Sequence, residues 1–131
     1  MLAEVVLPDS VDVVNAWAKT RTTITDLVGK RISPTLAVLP AIRLADVGPT
    51  GRGPAEVLAR VQVECWAVDR DTASQIARTV VAELPTFRGA FAGGIVGAAA
   101  VALGPFDSPD LGTERARSLL DVEFWLYPLG A

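Results

Sequence analysis

The sequence contains no histidine. That absence takes the base from the Ser-His-Asp and Cys-His arrangements and removes the commonest zinc ligand as well. Cysteine is nearly as scarce. Cys65 stands alone in 131 residues, so no intramolecular disulfide framework is possible, which suits a reducing compartment. Charge of one sign is also lacking. With 12 basic and 15 acidic residues the formal net charge is −3, too small to collect nucleic acid or an anionic membrane through a global field. Lys19 and Lys30 are the only lysines, and the preference for arginine fits interface use or GC-rich coding. Long hydrophobic runs are missing too. The most apolar window, "AFAGGIVGAAAVALG" from Ala90 to Gly104, is too short and too glycine-rich to cross a bilayer as a helix. The opening "MLAEVVLPDS" has an acidic residue where a secretory signal would be basic, and its apolar run stops at Pro8, so no signal peptide is expected. A soluble protein is the expectation, with no membrane partner and no sequence-specific nucleic acid binding.

What is present reads as one domain over residues 1–131, long enough to bury a self-sufficient core. "PDSVDVVNAWAKT" offers Asp9 or Ser10 as a cap and spaces Val11, Val14, Trp17 and Ala18 for a helix that ends near Thr20. "ITDLVGKRI" can add a short second turn, with Asp26 near its start and Gly29 suited to the left-handed position after it. "SPTLAVLPAIRLADV" is β-like, but Pro40 lacks a donor and marks an edge or a break, placing a first strand near Ala41 to Val47. Gly48 to Pro54, "GPTGRGP", reads as a loop with a mobile tip.

The stretch from Val57 to Ala67 alternates. Val57, Ala59, Val61, Val63, Cys65 and Ala67 form one apolar row, while Arg60, Gln62, Glu64 and Trp66 point the other way. Cys65 therefore reads as a core residue rather than a nucleophile. Asp69 stands where this strand stops, and Ala73, Ile76, Ala77, Val80, Val81 and Leu84 mark the stripe of a second helix. Asp69 or Asp71 can cap that helix, and with no further ligands nearby capping is favoured over metal binding. After Pro85 and the "RGAFAGG" turn, Ile95 to Leu103 reads as a third strand, apolar on both faces and so expected to be central. A polar connection, "GPFDSPDLGTERA", leads to a fourth strand in which Leu120, Val122, Phe124 and Leu126 oppose Asp121, Glu123, Trp125 and Tyr127. The expected fold is α+β in the order αββαββ, a four-stranded, mainly antiparallel sheet with two helices packed on one face.

The second face of that sheet is the candidate site. Arg43, Arg60, Gln62, Glu64, Trp66, Asp121, Glu123, Trp125 and Tyr127 mix charge with large aromatics on a face that would otherwise meet solvent. Aromatics satisfy strand propensity and charges keep a face wet, yet Trp, Tyr and Arg are also the residues of interface hot spots. The face is accordingly a candidate assembly surface. No catalytic constellation, metal set or cofactor motif stands out.

Taken together, "AIRLADVG" before a Gly/Pro loop, "VQVECWAVDRDTASQIARTVVAEL" as strand, acidic corner and helix, then "GPFDSPD" and "ERARSLLDVEFWL", resemble the tail terminator (tail completion) proteins of long-tailed bacteriophages. The resemblance implies a non-enzymatic virion protein of the tail neck, forming a homo-oligomeric ring, typically six-fold. Such a ring caps the head-proximal end of the tail tube, stops its polymerisation and joins the head-completion or connector protein. It implies no cofactor. The two connections, Gly48 to Pro54 and Asp107 to Glu114, would then be contact loops through Arg52, Asp107, Asp110, Glu114 and Arg115. A different neck component, head-closure or adaptor, and a small α/β enzyme or ligand-binding module with a site shared across a dimer are the other readings of the same pattern.

Overall fold

The computed structural model describes residues 7–29, 39–109 and 115–129. The β-like segment expected just before Leu39 lies outside them. The first described element is helix α1 (Ser10–Lys19), followed by strands β1 (Ala41–Asp46), β2 (Gly51–Arg52) and β3 (Val57–Ala67). Helix α2 (Arg70–Glu83) comes next, extended by a short 3-10 turn, and then β4 (Gly89–Phe91), β5 (Gly94–Asp107) and β6 (Ala116–Pro128). The pairings between these strands are antiparallel, and the sheet runs in the order β1-β3-β6-β5-β4 with β2 as an extra pair on β3.

The helices begin where side-chain chemistry lets them. Asp9 accepts the N–H groups of Val11 and Asp12, and Asp69 accepts that of Thr72, so each carboxylate occupies orphan donors beside the positive end of a helix dipole. Both helices pack on the same face of the sheet. Val13, Val14, Trp17 and Ala18 of α1, with Ala73, Ile76, Ala77 and Val80 of α2, meet Val61, Val63 and Cys65 of β3 and Leu120, Val122, Phe124 and Leu126 of β6. Phe87 joins the two ends of this core, its ring centroid 4.9 Å from both Trp17 and Phe124. The indole N–H of Trp17 donates to Thr86 Oγ1 at 2.9 Å, so the largest core side chain keeps its polar atom satisfied.

The expected four-stranded sheet in αββαββ order is incorrect. Among the described residues the sheet has six strands and curls into a half-barrel, and the order is αβββαβββ. Two short strands account for the difference. β2 lies inside the segment expected as a loop: Thr50 and Gly53 donate their N–H groups to the carbonyls of Leu58 and Glu56, which ties Gly48 to Pro54 onto β3 as a hairpin. β4 lies inside the "RGAFAGG" turn. Ala92 and Gly93 both take positive φ, 48° and 85°, so a two-residue turn folds Phe91 directly against Gly94. The segment after Thr20 forms successive turns, through Ile24 and Thr25 N–H to Arg21 and Leu27 N–H to Ile24, and Gly29 takes a left-handed φ of 80°.

The third expected strand is also longer than Ile95 to Leu103 and is not central. β5 runs on to Asp107 beside β6, while on its other side β4 reaches only Gly94 to Val96. Three register shifts against β6 bend it. At the last of them Gly104 has φ 84°, and a Cβ there would stand 2.6 Å from the carbonyl oxygen of Leu119, so only glycine lets the bent strand stay against its partner.

Candidate assembly interface

Cross-strand register decides what the second sheet face is. Residues directly opposed in an antiparallel pair share a face, and the registers place Arg43 opposite Glu64, Trp66 opposite Arg117, Gln62 opposite Asp121, and Arg60 opposite Glu123. Leu58 faces Trp125, and Tyr127 faces Ile95 of β5. All nine residues expected on this face are therefore on one face. They do not form one uniform wet surface.

On the β1, β3 and β6 side the face is closed by its own ion pairs. Arg60 holds Asp121 through Nε and Nη2 at 2.9 and 2.8 Å. Glu64 accepts the indole N–H of Trp66 at 3.2 Å, and the guanidinium groups of Arg43 and Arg117 stand 3.8 and 3.9 Å from its Oε1. Arg115 and Arg117 also lie over the Trp66 ring, 4.8 and 5.0 Å from its centroid, within the range where a cation is drawn to the aromatic quadrupole. As a result Trp66 is only 5% exposed and Glu64 and Asp121 4% each. The expectation that Trp66 and these carboxylates belong to a solvent face is corrected: side chains of the same chain cover them. Glu123 is half-buried and accepts the hydroxyl of Thr50 at 2.9 Å. Gln62 and Trp125 are half-buried, and Arg43 is exposed apart from its contact with Glu64.

On the β5 side the same face is open and apolar. Ile95, Ala100, Leu103 and Phe106 oppose Tyr127, Glu123, Asp121 and Leu119 in turn. Leu103 is 48% exposed, Phe106 43% and Tyr127 40%. From Ala98 to Asp107 every residue of β5 is exposed or half-buried. No charged residue occurs between Arg88 and Asp107. A row of partly exposed large apolar side chains beside small ones on a strand uncharged up to its last residue is the feature of this surface that alternation alone did not bring out. Its sequence signal was present: a strand apolar on both faces needs cover on both, and among the described residues only the helix side supplies it.

The loop residues separate as well. Arg52 is exposed within β2, and Asp107 ends β5 in an ion pair with Arg70 at the start of α2. Arg115 lies over Trp66 rather than reaching outward alone. Asp110 and Glu114 lie outside the described residues. Arg117 donates from Nε to the carbonyl of Ser108 at 2.8 Å, tying the end of the connection to β6.

The alternatives to packing fare differently at Cys65 and the acidic corner. Cys65 is fully buried, and desolvation, with a smaller contribution from Glu64, pushes its thiol up to about 12. The thiolate needed by a nucleophile is thus suppressed. Asp69 is held below the ordinary carboxylate range by the Thr72 backbone N–H and then the Thr72 hydroxyl, the contacts of a helix cap. Asp71 is exposed in the first turn of α2. Among the described residues no group of three or more Cys, Asp or Glu is placed to hold a metal ion. A hollow of about 200 Å³ between the start of α1 and β2 contains Asp9 and Asp46. Both carboxylates already have backbone partners, Asp9 at the helix cap and Asp46 on the N–H of Gly48. Compared with known protein families and with curated proteins, the chain matches none.

Proposed function

We propose that this chain is a structural assembly subunit, a tail terminator that forms a ring on the head-proximal end of a phage tail tube. The ring stops tube growth and offers its opposite side to the head-completion or connector protein. The observation that carries the reading is the open apolar half of the second face along β5, where Leu103, Phe106 and Tyr127 remain substantially exposed in a single copy. Such a surface is stabilised by being covered, and a repeated subunit is the economical cover. The resemblance of the strand, corner and loop patterns to tail terminators supports the same reading.

The mechanism needs no covalent chemistry. One side of the ring imitates the next ring of the tube and so docks on it, while the other side lacks the surface that would accept a further ring. Termination is then a property of shape and charge complementarity. The protein would reside in the virion, at the neck of the tail.

The direct test adds the purified protein to polymerising tail tube protein and measures tube lengths by electron microscopy. Tubes of bounded length carrying extra density at one end are expected. Tubes that elongate as they do without the protein, and that do not bring it down on sedimentation, would overturn the reading.

A further inference from the structure

Among the described residues the sheet has an open edge at each end. On the β5 side, β4 covers Gly94 to Val96, so from Gly97 to Leu103 no strand lies beside the outer edge of β5 among the described residues. On the β1 side, the outer edge is held at Ile42, whose N–H donates to the carbonyl of Leu27 at 2.8 Å and which bridges to Val28. From Arg43 to Asp46 no strand lies beside it among the described residues. Rows of N–H and C=O groups at such edges accept an extended chain and little else. We propose that the two edges are the halves of one contact, in which Gly97–Leu103 of one copy adds to Arg43–Asp46 of a second copy, head to tail. This rests on the ring reading above and names the surface that makes the ring.

Three observations select a second copy as the occupant. Both halves are present on every copy, at opposite ends of the strand path β1-β3-β6-β5-β4, which is the arrangement of a heterologous contact. The charges fit. β1 presents Arg43 and Asp46, one of each sign, and Gly97–Leu103 of β5 presents no charge, so no like charges meet in either strand direction. Each edge also ends in exposed apolar side chains, Leu103 and Phe106 beside β5 and Val47, 52% exposed, after β1. Pro105 has no N–H to offer, which ends the pairing edge of β5 near Leu103. In a curled sheet, each head-to-tail addition rotates the next copy relative to the last; such a contact closes a ring where the rotation divides a full turn and gives an open filament where it does not, and the ring reading requires the first. Pairing of β5 with β5 of another copy would be isologous and would stop at a dimer.

Cysteine cross-linking tests this cleanly, because buried Cys65 does not compete at neutral pH. Ala45 and Ala100 lie on the same sheet face, opposite Gln62 and Glu123. Ala45→Cys combined with Ala100→Cys, or with Ala98→Cys or Ala102→Cys to cover neighbouring registers, should give under mild oxidation a ladder of covalent oligomers that ends at the ring. The single variants should give none. A covalent dimer from Ala100→Cys alone would overturn the proposal in favour of β5–β5 pairing, and so would the absence of a ladder in all three double variants at the highest soluble concentration. In parallel, Ala100→Lys puts its charge opposite Glu123 of its own chain, which preserves the fold, and should weaken association roughly tenfold or more. Parent-like association of Ala100→Lys also overturns the contact. A ladder without tube capping would sink the terminator reading and leave this contact standing, whereas tube capping untouched by Ala100→Lys would do the reverse.

Discussion

Arg60 sets Nε and Nη2 on the same oxygen of Asp121, Oδ2, at 2.9 and 2.8 Å, while Oδ1 is buried without a partner. The carboxylate thus depends on one guanidinium for its charge compensation. Removing one member of a buried pair leaves the other charge desolvated, which costs more than the pair is worth intact. Arg60→Ala should destabilise the fold by about 3 kcal/mol, and Arg60→Glu by more, as read from urea unfolding. Arg60→Met combined with Asp121→Leu should regain most of the loss. A parent-like midpoint for Arg60→Ala would show that the pair does not hold this face. A charge reversal at Arg60 is therefore a test of folding before it is a test of assembly.

Trp66 belongs to the same closed half. Its ring is buried beneath Arg115 and Arg117, and its N–H is spent on Glu64. Trp66→Ala should lower stability by roughly 3–5 kcal/mol, the range for truncating a large buried aromatic, whether or not the protein is assembled. Trp66→Phe keeps most of the packing and should cost less, chiefly the lost Glu64 bond. Comparing unfolding midpoints at low and high protein concentration separates the two roles. If Trp66→Ala shifts only the concentration-dependent part, the residue is an interface anchor after all.

How much of this was legible depends on what each pattern encodes. Alternation along Val57–Ala67 and Leu120–Tyr127 marked β3 and β6 and assigned their core rows, because the side-chain period in a strand is fixed by the backbone. The caps were visible to within two residues, Asp9 or Ser10 and Asp69 or Asp71, because the chemistry is local, and the fold takes Asp9 and Asp69. β2 and β4 were not visible: two or three residues carry no period, and Ala92 stands at positive φ in a turn position where Asn or Gly would have announced it. Nor could alternation say what covers a face. Trp66 and Tyr127 share a phase, yet one is closed over by Arg115 and Arg117 and the other is open, a difference made by register and by the return of the chain after β5. β5 misled for a related reason. Apolar residues on both faces do demand cover, but nothing in the sequence says that the cover must come from the same copy.

At the start of α2, Asp69 carries a carboxyl held below its ordinary value, first by the backbone N–H of Thr72 and then by its hydroxyl. For a depressed carboxyl, the stabilisation is present above the unfolded value and is lost as pH falls through the folded one. Helix α2 should therefore lose its capping stabilisation progressively below the ordinary aspartate range, about pH 4. Asp69→Ala should lower the melting temperature at neutral pH and show a flatter dependence on acidification than the parent. Asp69→Asn should retain part of the cap without the acid dependence. Identical acid unfolding curves for parent and Asp69→Ala would show that the cap does not contribute.

Cys65 gives the opposite sign. Its thiol is pushed up from 9.0 to about 12 by burial first and by Glu64 second. The folded state therefore holds the proton over a pH range in which the unfolded chain releases it, and this contribution to stability is present below the unfolded value and is lost as pH rises from about 9 towards 12. A thiol reagent at pH 8 should label the native protein at the rate of global or local opening and label urea-unfolded protein at once. Cys65→Ala should abolish the alkaline loss attributable to this group and cost roughly 1–2 kcal/mol for the small cavity it leaves beneath α2. Cys65→Ser should cost about 1–3 kcal/mol, since its hydroxyl enters an apolar row opposite Ser118 and Ile42 and must find an acceptor there. Both variants should assemble as the parent does, because the side chain lies on the helix-covered face and not on the open one. Fast labelling of the folded protein, or loss of assembly in Cys65→Ala with an unchanged unfolding midpoint, would give this cysteine a role beyond packing.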